Sequence, residues 1–539
     1  MPGSIDDVFG QSIMNSIPVT RRQACLLALS ALASRHVQAQ SREQTDALHV
    51  LNRLAYGPAP GDVGRVMQMG VERYIDEQLH PERIAMPRTL QQQLGALDTT
   101  RLSQRELILK FREAQQAAKN DSEEGKAQRR ALYQRLTLQA GEARLLRALQ
   151  SPAQLQEVMV DFWFNHFNVF MGKGLDQVLV ENYEREAIRP FAMGRFRDLL
   201  GATAHHPAML FYLDNWLSAA PGYQAPRGAG ALAQASGLNE NYARELMELH
   251  TLGVDGGYTQ TDVTELARML TGWTLNPRLG NGGSAFYFEA RRHDAGDKQW
   301  LGRRVSARGQ AEGEEALDLL AAHPATARNL AYKLAQYFVQ DQPPQALVDR
   351  LARSFLESGG DIRAVLKTLF DSAEFRAPQV VGAKFKTPYR YLVSAVRLAD
   401  VPVTNVRPLL ATAYQLGMPL YGCQTPDGYK NTEAAWLNPD AITRRLNFAT
   451  TFASGKLPFA RPMDAADTDG VNKVALKRPV DGPFNARFNA AWTTPPVDAA
   501  ALLAALGTGI SARTRDAVSQ SEPALRAALV LGSPDFMRH

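Results

Sequence analysis

Two cysteines in 539 residues exclude more than any motif in this chain does. One of them, Cys25, falls in an N-terminal leader-like segment, so the rest of the chain holds a single thiol, Cys423. A lone cysteine builds neither an internal disulfide framework nor a cysteine-rich metal centre. Charge of one sign is also scarce. Sixty basic residues against 55 acidic ones leave a formal net charge of +5. No Lys/Arg block is interleaved with an aromatic platform, which argues against nucleic acid as a partner. Beyond the N-terminus, no apolar run reaches the roughly eighteen residues needed for a membrane span. The chain also lacks a Gly-rich phosphate loop, a Gly-x-Ser-x-Gly elbow, an H-E-x-x-H helix and a haem-attachment Cys-x-x-Cys-His.

The N-terminus carries a different signal. Thr20-Arg21-Arg22 precedes the short apolar run Ala24 to Ala33, then Val37-Gln38-Ala39, a small-residue cleavage pattern. We read residues 1–39 as an export signal cut after Ala39. The paired arginines and modest hydrophobicity point to the twin-arginine kind, with ordinary secretion as the alternative. The mature chain is therefore expected in the periplasm or outside the cell.

Helical periodicity dominates what remains. The expected fold is all-α, a large multi-helix body with a small β-hairpin or loop insertion. Residues 40–455 form the main helical domain, with a solvated helical hairpin at 91–150 and a hairpin insertion at 280–309, where Phe286, Tyr287, Phe288 and Trp300 alternate with glycine turns. Residues 456–539 read as an irregular connection followed by C-terminal helices packing on the main body. Ser151-Pro152, His206-Pro207 and His323-Pro324 mark three helix starts, with proline at the first helical position after a polar cap.

The densest set of chemistry-bearing side chains lies between Asn239 and Trp273, which read as helix, glycine turn, helix. On the first helix Asn241, Arg244, Glu245 and Glu248 share one face. An arginine between two carboxylates can keep one ionised while burial raises the proton affinity of the other, so Glu245 and Glu248 are candidate acid and base. The bland reading of the same face is a solvated stripe with an Arg244–Glu248 pair. Thr259 and Asp262 form a capping box, and Glu265 with Arg268 an ion pair. The aromatic helix VMVDFWFNHFNVF carries a second polar stripe, Glu157, Asp161, Asn165 and Asn168. Buried polar groups need partners. Asp161 and Asn165 are therefore expected to face the Glu245/Glu248 stripe across a cleft, with Trp273 as a further binding residue. His293-Asp294 in the insertion is a second candidate base with its carboxylate. Two histidines on apolar faces, His166 and His250, could ligate a metal, although core histidines are the commoner outcome. The cofactor stays open.

Many stretches resemble the domain-of-unknown-function family 1800, a group of exported bacterial proteins. They include LNRLAYGPAPGDV, QLQEVMVDFWFNHF, AMLFYLDN, the Asn239–Trp273 segment, HDAGDKQWLG, HPATARNLAYKLAQYFVQD, KFKTPYRYLVSAVRLAD and WLNPDAITRRLNFA. The resemblance implies an all-helical exported protein, often encoded beside a second exported protein of the sulfatase-like family 1501, and it carries no established reaction. One loop departs from the family's usual Pro-Pro-Asn, Gly-Trp-Pro pattern: Tyr421 to Tyr429, YGCQTPDGY. The functional expectation is a hydrolase-like enzyme acting on an extracellular polymer through a carboxylate pair. The alternatives are a non-catalytic binding or assembly partner of the sulfatase-like protein, and a metal- or cofactor-binding redox protein.

Overall fold

The structure, a computed structural model, describes residues 40–119, 122–224, 237–276, 279, 284–460 and 493–539. The export-signal reading and most of the expected connection after residue 456 lie outside the described residues. The elements used below are α1 (40–54), α2 (Gln104–Lys119), α3 (Glu123–Gln150), α4 (Gln154–His166), α5 (Asp176–Tyr183), α6 (Asn241–Glu248), α7 (Gln260–Met269), α8 (Gln310–Ala321), α9 (Pro324–Phe338), α10 (Pro388–Ala399), α11 (Pro439–Ala453) and α12 (Pro523–Leu531). Among the described residues, no helix is long and apolar enough to cross a membrane.

Local chemistry sets the helix ends. His206 and His323 each turn Nδ1 back to accept the backbone N–H two residues on, at 3.1 Å in both cases. Thr259 and Asp262 cap α7 reciprocally. The third expected start is shifted: α4 opens at Gln154 behind Ala153, and Ser151-Pro152 stays outside it.

The fold is all-α apart from two small antiparallel pairs among the described residues. In the first, β1 (Trp273–Leu275) pairs with β2 (Phe286–Phe288), Trp273 opposite Phe288 and Leu275 opposite Phe286. In the second, β3 (Lys298–Trp300) pairs with β4 (Arg303–Val305). The insertion is thus two hairpins, and the first begins earlier than expected. Trp273 sits on a strand, because Gly272, at a φ of 81°, ends the turn after α7 in the left-handed region.

One continuous hydrophobic core runs through the chain from Ala47 to Met537, so α12 belongs to the same core as α1. Trp163, Trp273 and Trp300 are fully buried in it. Each fully buried large apolar side chain contributes on the order of 1.5–3 kcal/mol. The hairpin α2–α3 corrects the reading of residues 91–150 as solvated. Its final turns enter the core and carry Arg144 and Arg147 with them, 6% and 7% exposed. Arginine is almost never buried without partners, and those partners organise the site.

Candidate functional site

The polar stripe of α4 is matched by arginines, not by α6. Arg189 holds Glu157 with two parallel bonds of 2.8 Å and reaches Glu184 at 3.2 Å. Arg144 pairs with Asp161 and lies 3.3 Å from Glu184. Burial alone would weaken the Arg144 charge, but Glu184 and Asp161 hold its proton more tightly than usual. Burial likewise pushes Glu184 up, and Arg144, Arg189 and Arg147 overcome it, leaving the carboxyl below its ordinary range. Glu184 opens a π-helical turn, Glu184–Ile188, that follows α5. The result is a buried ion network among α3, α4 and that turn. Asp161, expected to bind ligand, is a member of it.

The rest of the stripe clamps the loop from Tyr421 to Tyr429. The Asn165 amide donates to Tyr429 O at 2.9 Å, and its Oδ1 accepts from Tyr429 N–H at 2.7 Å. Asn168 donates to Cys423 O at 3.0 Å and Thr425 O at 2.9 Å. Tyr212 donates to Gln424 O at 2.9 Å. Tyr421, left-handed at a φ of 57°, reaches the ion network, its hydroxyl donating to Glu184 at 2.9 Å. Thr425 to Gly428 close a turn, with Gly428 N–H on Thr425 O at 3.2 Å. A Cβ on Gly428, whose φ is +69°, would fall 2.3 Å from Asn165 O, so only glycine lets the turn lie this close. Both polar atoms of the Asn165 side chain are committed to backbone. Its expected role in binding is thereby replaced by a structural one.

What the clamp presents is Asp427. Its Oδ1 accepts from Thr425 at 2.6 Å and its Oδ2 from Lys430 at 2.6 Å. Burial would raise this carboxyl, but Lys430 and Thr425 hold it below its ordinary value. Glu245 behaves oppositely. Half burial raises its proton affinity, the Glu248 charge adds to this, Arg244 opposes it, and Asp427 adds a further push. Glu245 thus feels the charge on the loop, while Asp161 and Asn165 find their partners in Arg144 and the Tyr429 backbone. Glu248 accepts a hydrogen bond from Tyr258 at 3.2 Å. Arg244 does not bridge the two carboxylates. It turns to Gln260 at 2.8 Å and Glu240 at 3.4 Å, away from the expected Glu248 pair. Asn241 donates to Leu213 O at 3.3 Å and so anchors the start of α6.

Two other expected site residues, His293 and Trp273, belong to the interior, and Asp294 is half-buried. His293 does not pair with Asp294. Its Nε2 lies 3.1 Å from Glu312, and its Nδ1 2.9 Å from Thr271 O. Glu312 is fully buried and also takes Lys298 at 2.6 Å. Asp294 instead bonds Arg268 at 2.8 Å and 3.1 Å, and those bonds hold its carboxyl below the usual range. Arg268 also holds Glu265 at 2.8 Å, the ion pair read from the sequence. Trp273 is fully buried, stacked on His205 at 4.8 Å and packed against Gly313, where a Cβ would meet the indole at 2.3 Å. It is a core residue rather than a binding one.

His166 and His250 come together, their rings 6.2 Å apart. A backbone carbonyl only accepts, so His166 Nε2, 3.1 Å from His250 O, carries the ring proton. Its Nδ1 accepts from Lys333 at 3.2 Å. Both nitrogens are engaged. Among the described residues, no group of three or more His, Cys, Asp or Glu side chains is placed to hold a metal ion.

Fold and site define the class: an all-helical protein in which a buried ion network and the polar stripe of α4 hold the loop that carries Asp427. The chain belongs to the family described as Protein of unknown function (DUF1800), whose profile matches residues 49–538. No curated protein and no solved structure matches it.

Proposed function

We propose that this chain is an exported, hydrolase-like enzyme acting on an extracellular polymer such as a glycan, with Glu245 as general acid and Glu248 as its carboxylate partner. The observation that carries this reading is the opposed tuning of neighbouring carboxyls. Glu245 is made a better proton holder by burial and by the charges of Glu248 and Asp427, while Asp427 is kept ionised by Lys430 and Thr425. A carboxyl raised in this way beside an ionised one is suited to hold the proton that a general acid delivers. Export places the mature N-terminus at Gln40, which sequencing of protein recovered outside the cytoplasm checks.

The test is Glu245→Gln assayed on a panel of polysaccharides. The variant keeps the shape and loses the proton, so turnover falls by a factor on the order of 10²–10⁴ with the melting temperature unchanged. A large melting loss marks Glu245 as structural and sinks the proposal. One observation favours a second reading, docking of another exported protein such as the sulfatase-like neighbour: Leu446 on α11 and Leu525 and Leu529 on α12 are exposed. Charged substitutions at these three positions would abolish co-purification of such a partner while leaving polymer turnover intact.

A further inference from the structure

A cavity of about 80 Å³ lies between α1, the turn at Val381–Gly382 and the segments around Thr508 and Asp535. Exposed residues, Val381, Thr508 and Gly509, form its mouth, and the buried His49 and His539 lie deeper. The polar atoms of this lining are mostly acceptors with no proton of their own. His49 Nε2 lies 2.9 Å from Phe375 O, and a carbonyl only accepts, so that nitrogen carries the ring proton. Its Nδ1 is then a bare lone pair, buried and without a partner among the described residues. His539 is arranged the other way round: Nδ1 donates to Asn52 O at 3.0 Å, which leaves Nε2 as the acceptor. Asp535 Oδ2 takes three bonds, from Ser511 N–H at 3.0 Å and from the Ser511 and Thr514 hydroxyls at 2.7 Å and 2.6 Å. Its Oδ1 has no donor among the described residues. Asn52 accepts through its backbone carbonyl alone, so among the described residues its side-chain amide is unpaired.

Size and charge narrow what fits. One water needs roughly 10–15 Å³, so the cavity has room for about five to eight water-sized groups. A cation is opposed by Arg53, Lys384, Lys386 and Arg390, all buried close by. Both imidazoles are neutral: burial and then Arg53 take His49 down to about 3, and burial with the same four cations holds His539 well below its ordinary value. An anion would set its lone pairs against those of His49, His539 and Asp535, and Arg538, the cation of the lining, is already held by Glu433. An apolar molecule would leave the buried acceptors unsatisfied, which costs free energy at each. We propose that this cavity binds a small uncharged polyol, the size of a three-carbon triol, whose hydroxyls donate to His49, His539 and Asp535 and whose oxygens accept from the Asn52 amide. Such a triol carries one O–H for each of the three acceptors. Bound there, it ties α1 to the segments around Thr508 and Asp535. The cavity shares no residue with the Glu245 and Glu248 reading and stands independently of it.

The experiment titrates glycerol into the full chain and follows the histidine ring nitrogens by NMR, with signals assigned through His49→Gln and His539→Gln. Ethanolamine and glycerol 3-phosphate are run beside it as the charged analogues. His49 Nδ1 and His539 Nε2 are expected to shift together and to saturate, while the other histidines stay put and both charged analogues bind more weakly. Asn52→Leu keeps the side-chain volume and removes no bond made within the protein. It should weaken glycerol on the order of tenfold with the melting temperature unchanged. Gly509→Ala is a second variant: its Cβ meets Leu48 at an ordinary 3.6 Å, so it narrows the cavity without touching the polar groups, and it should weaken glycerol as well. Shifts that are absent, or that grow without saturating, mean that the cavity takes water only and overturn the proposal. Tighter binding of either charged analogue also overturns it, as does undiminished glycerol affinity in both variants.

Discussion

Gly428→Ala addresses the junction between the ion network and the carboxylates. The added Cβ meets Asn165 O at 2.3 Å and Asn165 Oδ1 at 2.7 Å, so the turn must lift. Lifting breaks the two Asn165–Tyr429 bonds of 2.9 Å and 2.7 Å. A non-glycine residue in the left-handed region costs about 1–2 kcal/mol, and each lost bond about 1 kcal/mol net. The sum, about 3–4 kcal/mol, falls on the loop rather than on the whole core, because such segments open locally. Protection of the Tyr429 amide in hydrogen exchange should then fall on the order of a hundredfold or more, with little change in melting temperature. Asp427 moves with the turn and stops raising Glu245, so the Glu245 carboxyl titrates lower. Unchanged Tyr429 protection would refute the view that Asn165 and Gly428 hold this loop.

Three further outcomes follow from other parts of the molecule. Glu312→Ala leaves Lys298, side chain fully buried, without its counter-ion; a loss of about 3–5 kcal/mol in denaturant unfolding is expected, as for other broken buried pairs. Gly313→Ala drives a methyl into the Trp273 indole. It should cost about 1–3 kcal/mol by overpacking, and a neutral result would mean Trp273 is free to move. The pH dependence runs through Glu245, whose folded-state proton affinity is raised. Its stabilising contribution is complete below the ordinary carboxylate range and is lost as pH rises through the folded value. An activity that needs this proton declines over the same upward interval. Removing the Glu248 charge with Glu248→Gln should shift the Glu245 titration, followed by NMR of its carboxyl, to lower pH, and a titration that stays put would break the link.

Much of the fold was readable because helix punctuation is local. His206 and His323 cap as their Pro-x-x contexts say, and Thr259 and Asp262 need only each other. The β pairs were placed less well, since Trp273 belongs to a strand whose partner, Phe288, lies beyond a stretch with no periodic signal. The site was legible in its residue types and not in its pairings. Spacing put Glu245 and Glu248 on one face, but it could not show that Arg244 turns away toward Glu240 and Gln260. Asp161 and Asn165 were rightly read as polar groups in need of partners. Those partners, Arg144 and the backbone of Tyr429, are set only when α3 and the 421–429 loop meet α4. Asp427 carries no local pattern at all.

The ion network beneath the loop also bears on ionic strength. Glu157, Glu184 and Arg144 are nearly closed to solvent, so mobile ions at the surface screen them weakly. Asp427 and Lys430 stand in the solvent, and salt shields that pair far more. Raising salt therefore leaves the loop where it is and changes only the charge it displays. In an environment whose salinity the cell does not control, such a protein would keep its geometry fixed while the proton affinity of Glu245 drifts with the medium.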